Sequence, residues 1–197
     1  GQGTHASAGM RAGEVTALTD LGDAIGQAVQ SAERAADLSI TSVTVVLPGG
    51  SPRSQVRKQD MTLSDSTVSR RDVRRLLDRC GGQTLDPSQQ LMQLHPLHYS
   101  LDDVRGIADP TGMRGRSLAV DFLNVTSLRT SLTNIIEALA LNHLSVERFI
   151  HAGYAAGLAC LSGEERDLGS TVIDIGGGTS SIAIFMDGKL IYADKLD

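Results

Sequence analysis

The sequence predicts an α/β fold on two observations. Segments with apolar residues at helical spacing are mixed along the chain with short β-branched segments, without a visible internal repeat. The 197 residues are 41% hydrophobic, which is enough for a folded core.

The net charge of −5 argues against a general nucleic-acid binder. No apolar run reaches the ~18 residues of a membrane-spanning helix and no signal segment opens the chain, so a cytoplasmic protein is expected.

The first elements along the chain are a helix and a strand. Apolar residues recur every three or four positions between residues 16 and 38, which predicts an amphipathic helix. The segment "SVTVVLPGG" is β-branched and stops at Pro48 and Gly49, which predicts a short buried strand. The polar residues 51–65 are expected to form a strand with turns.

A second helix is predicted over "VSRRDVRRLLDRCGG". Ser69 and Asp72 have the spacing of a capping box, with Asp in place of the usual Glu. Gly81 and Gly82 are expected to end the helix. The predicted apolar face consists of Val73, Leu76, Leu77 and Cys80.

Two strands are predicted after this helix. The segment "QLMQLHPLHYSLD" reads as a strand interrupted at Pro96, and "SLAVDFLNV" has the alternation of a strand. His95 and His98 are expected to point to opposite faces of their strand, which is poor geometry for a metal site.

The last third of the chain predicts a helix over residues 130–142, a short strand in "VERFIHAG" and an Ala-rich helix that contains Cys160. Cys80 and Cys160 both fall on apolar helical faces and lack the spacing of metal ligands, so both are expected to be buried thiols. The charged segment "GEERDLG" is expected to be turn-like and solvated.

The segment "TVIDIGGGTSSIAIF" predicts two strands around a glycine loop, and Asp187-Gly188 predicts a further turn and strand. A dinucleotide fingerprint would need a glycine at Ser181 and a following helix, and a Walker loop would need Gly-Lys-Ser/Thr. A cradle of strand, glycine turn and strand remains, in which glycines at positive φ direct their N–H groups at a phosphate. An ordinary flexible hairpin is the alternative.

The candidate phosphate-binding residues are those of this loop: Gly176, Gly177, Gly178 and Thr179. Asp174 ends the first strand, and its carboxylate is a candidate contact to a metal ion through water, because hard cations prefer oxygen ligands.

Several segments resemble one protein family. The segment "DIGGGT" between two strands is similar to the second phosphate hairpin of the actin, Hsp70 and sugar-kinase superfamily. The segment "GIADPTGMRGRSL" resembles a signature of the FtsA family of bacterial cell-division proteins. The segments "SAGMRAGEV" and "GEERDLG", and more loosely "LHPLHYSLD", also resemble FtsA passages, in the same order along the chain.

The resemblance implies an actin-like (ribonuclease-H-like) fold with an inserted FtsA-type subdomain, called 1C. Residues 1–58 would be part of subdomain 1A, residues 59–128 the 1C insertion, residues 129–168 the return to 1A, and residues 169–197 the start of subdomain 2A. The chain would then be an internal fragment that holds one of two phosphate hairpins, and by itself it would bind ATP weakly or not at all.

The resemblance also implies function. Members of the family bind ATP with Mg²⁺, form filaments with themselves, bind the tubulin-like FtsZ ring and recruit later division proteins through 1C. They attach to the cytoplasmic face of the inner membrane at the division site by a C-terminal helix, which this chain lacks. No nucleic-acid partner is expected. A sugar-kinase-like phosphotransferase of the same superfamily and a nucleotide-free interaction module are the alternatives.

Two positions depart from the superfamily pattern. Ser181 stands where an Asp often follows the glycine loop, and Ala152 stands near where relatives carry a Glu or Gln that orients the attacking water. The adjacent His151 is expected to be a neutral residue packed under a helix. We therefore expect at most slow ATP hydrolysis, with the nucleotide acting as a conformational ligand.

The second helix carries a cluster of arginines. They form either a solvated face or a docking face for an acidic partner segment, and nucleic acid is a third alternative. The candidate partner-binding residues are Arg71, Arg74, Arg75 and Arg79.

Overall fold

The structure is a computed structural model that describes residues 1–47 and 49–196. The helices in this part of the chain are α1 (Leu18–Ala36), α2 (Arg70–Gly81), α3 (Arg129–Ala140), α4 (Ala152–Cys160) and α5 (Gly163–Leu168). The strands are β1 (Met10–Arg11), β2 (Glu14–Val15), β3 (Ser42–Leu47), β4 (Arg53–Thr62), β5 (Gln89–Leu101), β6 (Val104–Ile107), β7 (Ser117–Leu128), β8 (Ser145–His151), β9 (Ser170–Ile175), β10 (Ser180–Met186) and β11 (Lys189–Leu196). The predicted α/β class is confirmed.

The strands form four sheets. β1 and β2 make a small hairpin, and β3 pairs in parallel with β8. An antiparallel sheet has the order β4-β7-β5-β6, and an antiparallel meander has the order β11-β10-β9. None of the described helices is long and apolar enough to cross a membrane.

The close packing of α1 on the end of α3 depends on two glycines. A Cβ on Gly22 would lie 2.6 Å from Leu141 Cδ1, and one on Gly26 would collide with the Asn142 side chain. Asn142 Nδ2 donates a hydrogen bond of 2.7 Å to the Gly22 carbonyl. α1 ends at Asp37, which adopts a left-handed conformation with φ 54°.

The parallel pair β3–β8 buries one of its faces. The core against this face consists of Leu47 of β3 and Phe149 of β8, together with Leu132, Ile135 and Leu139 of α3 and Leu144. On the other face Val46 is 49% exposed. The prediction of a fully buried strand was therefore wrong, because only one face of this two-stranded sheet is covered. The predicted strand stop at Pro48 lies outside the described residues.

α2 begins and ends where the sequence predicts. The Ser69 N–H donates to Asp72 Oδ2 at 3.0 Å, and the Asp72 N–H donates to Ser69 Oγ at 3.2 Å, which completes the capping box. At the other end the Gly82 N–H donates to the Arg79 carbonyl. Leu76 and Cys80 are buried against the sheet, and Val73 and Leu77 are partly buried.

β7 is buried on both faces. Leu118, Val120 and Phe122 have no exposed surface and face α2. Leu123 and Val125 point the other way and pack on the meander. The partners in this second core are Leu97, Ala183, Phe185, Leu190 and Ala193. The four-stranded sheet thus shares a core with β10 and β11, and the predicted subdomain boundaries stay predictions.

β5 runs through Pro96 without a break, so the predicted interruption was wrong. Pro96 lies opposite Phe122, and the register shifts between Pro96 and His98. Such a bulge accommodates a residue that cannot donate to the ladder.

The bulge also changes the faces of the two histidines. His95 lies opposite Leu123 and His98 opposite Asp121, which are two residues apart on β7. Both histidines therefore lie on one face, and the prediction of opposite faces was wrong. Across residues 1–47 and 49–196 no group of three or more His, Cys, Asp or Glu side chains is arranged to hold a metal ion.

Two expectations for residues 160–169 need correction. The charged segment forms the helix α5, which begins with a second capping box between Ser162 and Glu165. Glu165 takes the position that stabilises a helix start, which is why this segment is not a turn. Cys80 is buried as predicted, but Cys160 is exposed because it lies at the solvent-facing end of α4.

Candidate functional site

The glycine loop is the connection 176–179 between β9 and β10. Its turn is closed by a hydrogen bond of 2.9 Å from the Gly176 N–H to the Thr179 carbonyl. None of Gly176, Gly177 and Gly178 has a positive φ, so that part of the prediction was wrong. A left-handed backbone is therefore not the reason for glycine at these three positions.

The face of the loop is open. A Cβ added to Gly177 would meet no other atom within 4 Å. The N–H groups of Gly177 and Gly178 make no hydrogen bond to any other described residue. Adjacent unpaired N–H groups are suited to an anion. The cavity at the loop measures about 510 Å³ and is also lined by Ser180, Lys195 and Leu196.

The β1–β2 hairpin lies directly beside the loop. Gly13, at φ 78°, crosses Gly49 so closely that a Cβ on Gly13 would lie 2.5 Å from Gly49 Cα and 3.1 Å from Thr179 Cγ2. A Cβ on Gly178 would lie 3.6 Å from Ala12 Cα. The turn at Ala12 and Gly13 therefore forms one wall of the loop's surroundings.

Asp174 belongs to a row of polar side chains that runs across the meander. It lies opposite Ser181 on β10, and Ser181 lies opposite Lys195 on β11. Ser181 is 2% exposed, and its Oγ has no hydrogen-bond partner among the described residues. A buried hydroxyl of this kind is commonly completed by water or ligand.

The donors of this row suit a hydrated cation and not a fully protein-liganded metal. Asp174 offers a half-buried carboxylate, and Ser181 offers a free hydroxyl. Mg²⁺ usually keeps several waters and takes one or two carboxylates together with substrate phosphates. The donor set at Asp174 therefore suits contact through water.

Sequence reasoning missed two charged residues near the loop. Lys195 lines the cavity from β11, and Glu14 follows the hairpin turn and accepts a hydrogen bond of 2.7 Å from Ser131 Oγ. Lys195 could have been found, because counting the strand register onward from the Asp187-Gly188 turn puts Lys195 on the third strand, in line with Ser181 and Asp174. No local pattern indicates the long-range contact of Glu14.

His151 is a structural residue. It has no exposed surface, its N–H donates to Gln93 Oε1 at 2.9 Å, and its Nε2 lies 3.2 Å from the Asp194 carbonyl. Burial lowers the pKa of His151, although Asp194 and Asp174 partly oppose this effect. Burial favours the neutral form of the imidazole, and the contacts of His151 agree with the predicted packed His.

The arginines of α2 belong to a different part of the molecule. Arg71, Arg74, Arg75 and Arg79 are all exposed on the helix that covers the four-stranded sheet. Arg75 Nη2 forms an ion pair of 2.6 Å with Asp72 Oδ1. The structure thus brings Asp174 and the glycine loop together, and it keeps the arginine cluster apart from them.

Comparison with known proteins shows which proteins this chain is similar to. Residues 49–126 match the family described as the SHS2 domain inserted in FTSA. The whole chain is 37% identical over 196 residues to the cell division protein FtsA of Rhizobium meliloti (strain 1021), covering 44% of that protein. It is 33% identical over 196 residues to FtsA of Neisseria meningitidis serogroup B, covering 47% of that protein. It is 30% identical over 190 residues to FtsA of Escherichia coli (strain K12), covering 45% of it.

A solved structure shares the fold. A chain of a PilM-PilN type IV pilus biogenesis complex superposes with a TM-score of 0.58 at 16% sequence identity, over 97% of this chain and 52% of that one. The predicted actin-like α/β fold with its inserted subdomain is confirmed. The chain spans about half the length of the curated relatives that it matches. The chain is thus similar along its whole length to part of the FtsA proteins, and residues 49–126 match the domain inserted in that family.

Proposed function

We propose that this chain is part of an actin-like, ATP-binding cell-division protein. The observation that carries the proposal is the open glycine loop, which lines a cavity with Lys195 and in which the N–H groups of Gly177 and Gly178 have no described partner. The matches along the whole chain to proteins named cell division protein FtsA support the division role.

The loop would hold the phosphates of ATP. Backbone N–H groups of Gly177 and Gly178 would donate to phosphate oxygens, and Thr179 and Lys195 line the same cavity. A Mg²⁺ ion would neutralise phosphate charge when bound. Asp174 would orient water of that ion.

The nucleotide would act as a conformational ligand. General-base catalysis requires a side chain that reaches the attacking water. His151 is fully buried, and the side chain of Ala152 has no polar atom. Neither group can position a water at the loop, which agrees with at most slow hydrolysis.

The partners would be those of a division scaffold. The protein would associate with itself, bind FtsZ and recruit later division proteins through the inserted sheet and its arginine-bearing helix. It would work at the cytoplasmic face of the inner membrane at the division site, held there by a C-terminal helix. The exposed arginines of α2 support a docking role for an acidic partner.

The test replaces Gly177 by Val in the full-length protein. The added side chain enters open space, so folding should not change, but it occupies the space a phosphate would need. We expect ATP affinity to fall at least about tenfold, because loss of one charge-assisted hydrogen bond costs about 1.5–3 kcal/mol. Isothermal titration calorimetry measures the affinity, and circular dichroism checks the fold.

Gly163→Val is the matched control. A Cβ on Gly163 also meets nothing within 4 Å and the backbone there has no positive φ, but the residue lies in α5, away from the loop. It should bind ATP like the parent. Parental ATP affinity in the folded Gly177→Val protein would show that the loop is only a structural hairpin.

A further inference from the structure

A second cavity lies on the four-stranded sheet, beyond the end of α2. It measures about 620 Å³ and lies between β4, β7 and the loop that follows α2. This volume is within the range of roughly 300–1,000 Å³ found for ligand pockets. We call it the sheet groove and define it by Arg53, Arg57, Asp86, Gln89, Asn124 and Thr126.

The floor of the sheet groove contains two unpaired amide oxygens. Asn124 is 2% exposed, and its Oδ1 has no hydrogen-bond partner among the described residues. The buried Oε1 of Gln89 also lacks a described partner. A buried acceptor without a donor is destabilising, so both oxygens favour a ligand that supplies N–H or O–H donors.

The strand register places these groups on one face. Asn124 lies opposite Gln55, and Thr126 lies opposite Arg53. Gln89 lies opposite Leu128, two residues beyond Thr126 on the same strand. Side chains two apart on a strand share a face, so the amides and Arg53 point into the same space.

The wall of the sheet groove is held in place by the chain itself. Arg57 Nη1 donates to the Thr84 carbonyl at 3.1 Å. Arg129 donates to the Pro87 carbonyl at 3.2 Å and to the Gln89 carbonyl at 3.3 Å. These bonds fix the loop relative to the sheet, so little ordering is needed when a ligand binds.

The charges of the sheet groove define the chemistry of the ligand. Arg53 is exposed, and its guanidinium has no hydrogen bond or ion pair to another described residue. Asp86 lies on the opposite, loop side, where the Ser88 N–H and hydroxyl donate to its carboxylate. A negative group would therefore bind at the β4 side, away from Asp86.

We propose that the sheet groove binds an extended peptide segment of a partner protein that carries an acidic side chain. The amides of Asn124 and Gln89 would pair with peptide N–H and C=O groups, which complement a primary amide on both sides. Arg53 would pair with the carboxylate. A simple anion such as a phosphate ester or acetate lacks the N–H donors that the two orphan oxygens need. This binding requires no nucleotide, so it can be tested independently of the ATP site.

The experiment probes the chain with two peptide arrays. Both consist of immobilised, N-acetylated and C-amidated octapeptides of random sequence, with one central position fixed as Glu in the first array and as Gln in the second. We expect the Glu array to retain about tenfold more labelled protein, the effect of a charge-assisted hydrogen bond. Arg53→Gln should remove this preference, whereas Arg105→Gln, an exposed arginine on the far edge strand β6, should keep it.

A second variant separates binding from folding. Asn124→Leu removes the orphan oxygen at similar volume, so the melting temperature should hold or rise while peptide binding falls about tenfold. Equal binding to both arrays, or parental binding by Asn124→Leu, would overturn the proposal. Competition by free acetylated glutamate as effective as that by the peptides would also overturn it, since it would indicate a small-carboxylate site.

Discussion

The carboxylate of Asp72 makes three polar contacts at the start of α2. It accepts hydrogen bonds from the Ser69 N–H and the Ser69 hydroxyl, and it pairs with Arg75 at 2.6 Å. The hydrogen bonds from Ser69, followed by the arginine, lower the pKa of Asp72 from its ordinary value of 3.8. The same network begins α2 and orients Arg75.

The lowered pKa of Asp72 predicts a pH-dependent contribution to stability. A carboxyl group with a lower pKa in the folded state stabilises the fold above its unfolded pKa, and this contribution is lost as the pH falls through the folded value. Asp72→Asn should therefore cost about 1 kcal/mol at neutral pH, the size of a capping interaction. The cost should shrink as the pH falls below 3.8 and should be smallest below the lowered pKa of the folded state, where the parental carboxyl group is also neutral.

Urea unfolding at neutral and acidic pH measures this difference directly. The control is Asp78→Asn, which changes an exposed carboxylate on the same helix outside the capping box. It should leave the free energy of unfolding within about 0.5 kcal/mol of the parent. A cost of Asp72→Asn that is constant with pH would show that the charge of Asp72 does not contribute.

At the scale of elements, local signals predicted most of the fold. The capping box at Ser69, the glycines after α2 and the Asp187-Gly188 turn depend on neighbouring residues, and each appears in the structure. The bulge at Pro96 depends on the pairing of β5 with β7, which no local pattern encodes. The capping box of α5 was available at Ser162 and Glu165, but the charged composition of the segment obscured it.

The candidate site, like the fold, was predictable only where the signal is local in the sequence. The sequence located the glycine loop and Asp174, because a glycine run after a strand is a local signal. It did not locate Lys195 or the hairpin turn at Gly13, which reach the loop through strand pairing and a crossing of two backbones. It also assigned positive φ to glycines that adopt ordinary conformations.

The arginine-bearing helix α2 gives the element-scale prediction. Arg75 is engaged with Asp72, so Arg71 and Arg74 make a cleaner test of docking than any pair that includes Arg75. Arg71→Glu with Arg74→Glu should weaken self-assembly or division-partner binding of the full-length protein, most strongly at low salt, where exposed charges are least screened. Pelleting and partner pull-down at two salt concentrations measure the effect.

Charge reversal should not unfold the helix. Both side chains are exposed, and such substitutions usually change stability by under about 0.5 kcal/mol. Circular dichroism provides the folding control, and Arg105→Glu on β6 provides a matched loss of positive charge elsewhere on the same sheet. Parental assembly and partner binding by the double variant would mean that the arginines form only a solvated face.

At the scale of the whole molecule, the inserted sheet and the meander are not independent. Leu123 and Val125 of β7 pack against Phe185 of β10, which is 1% exposed. The Phe185 ring stacks on Tyr154 at a centroid distance of 5.9 Å and fills the space over Gly157. β10, which begins directly after the glycine loop, therefore shares a packed core with the insertion.

This shared core predicts coupled unfolding. Phe185→Ala should destabilise the chain by about 3–5 kcal/mol, because it removes a buried aromatic ring. Hydrogen exchange followed by mass spectrometry should show lost protection in β7 as well as in β9–β11, since β7 packs its second face on this ring. Val56→Ala on β4, where the side chain is 56% exposed, is the control and should change stability by less than about 0.5 kcal/mol. If β7 keeps its full protection while the meander loses its own, the insertion folds as a separate unit, and the packed core cannot link the glycine loop to the arginine-bearing helix.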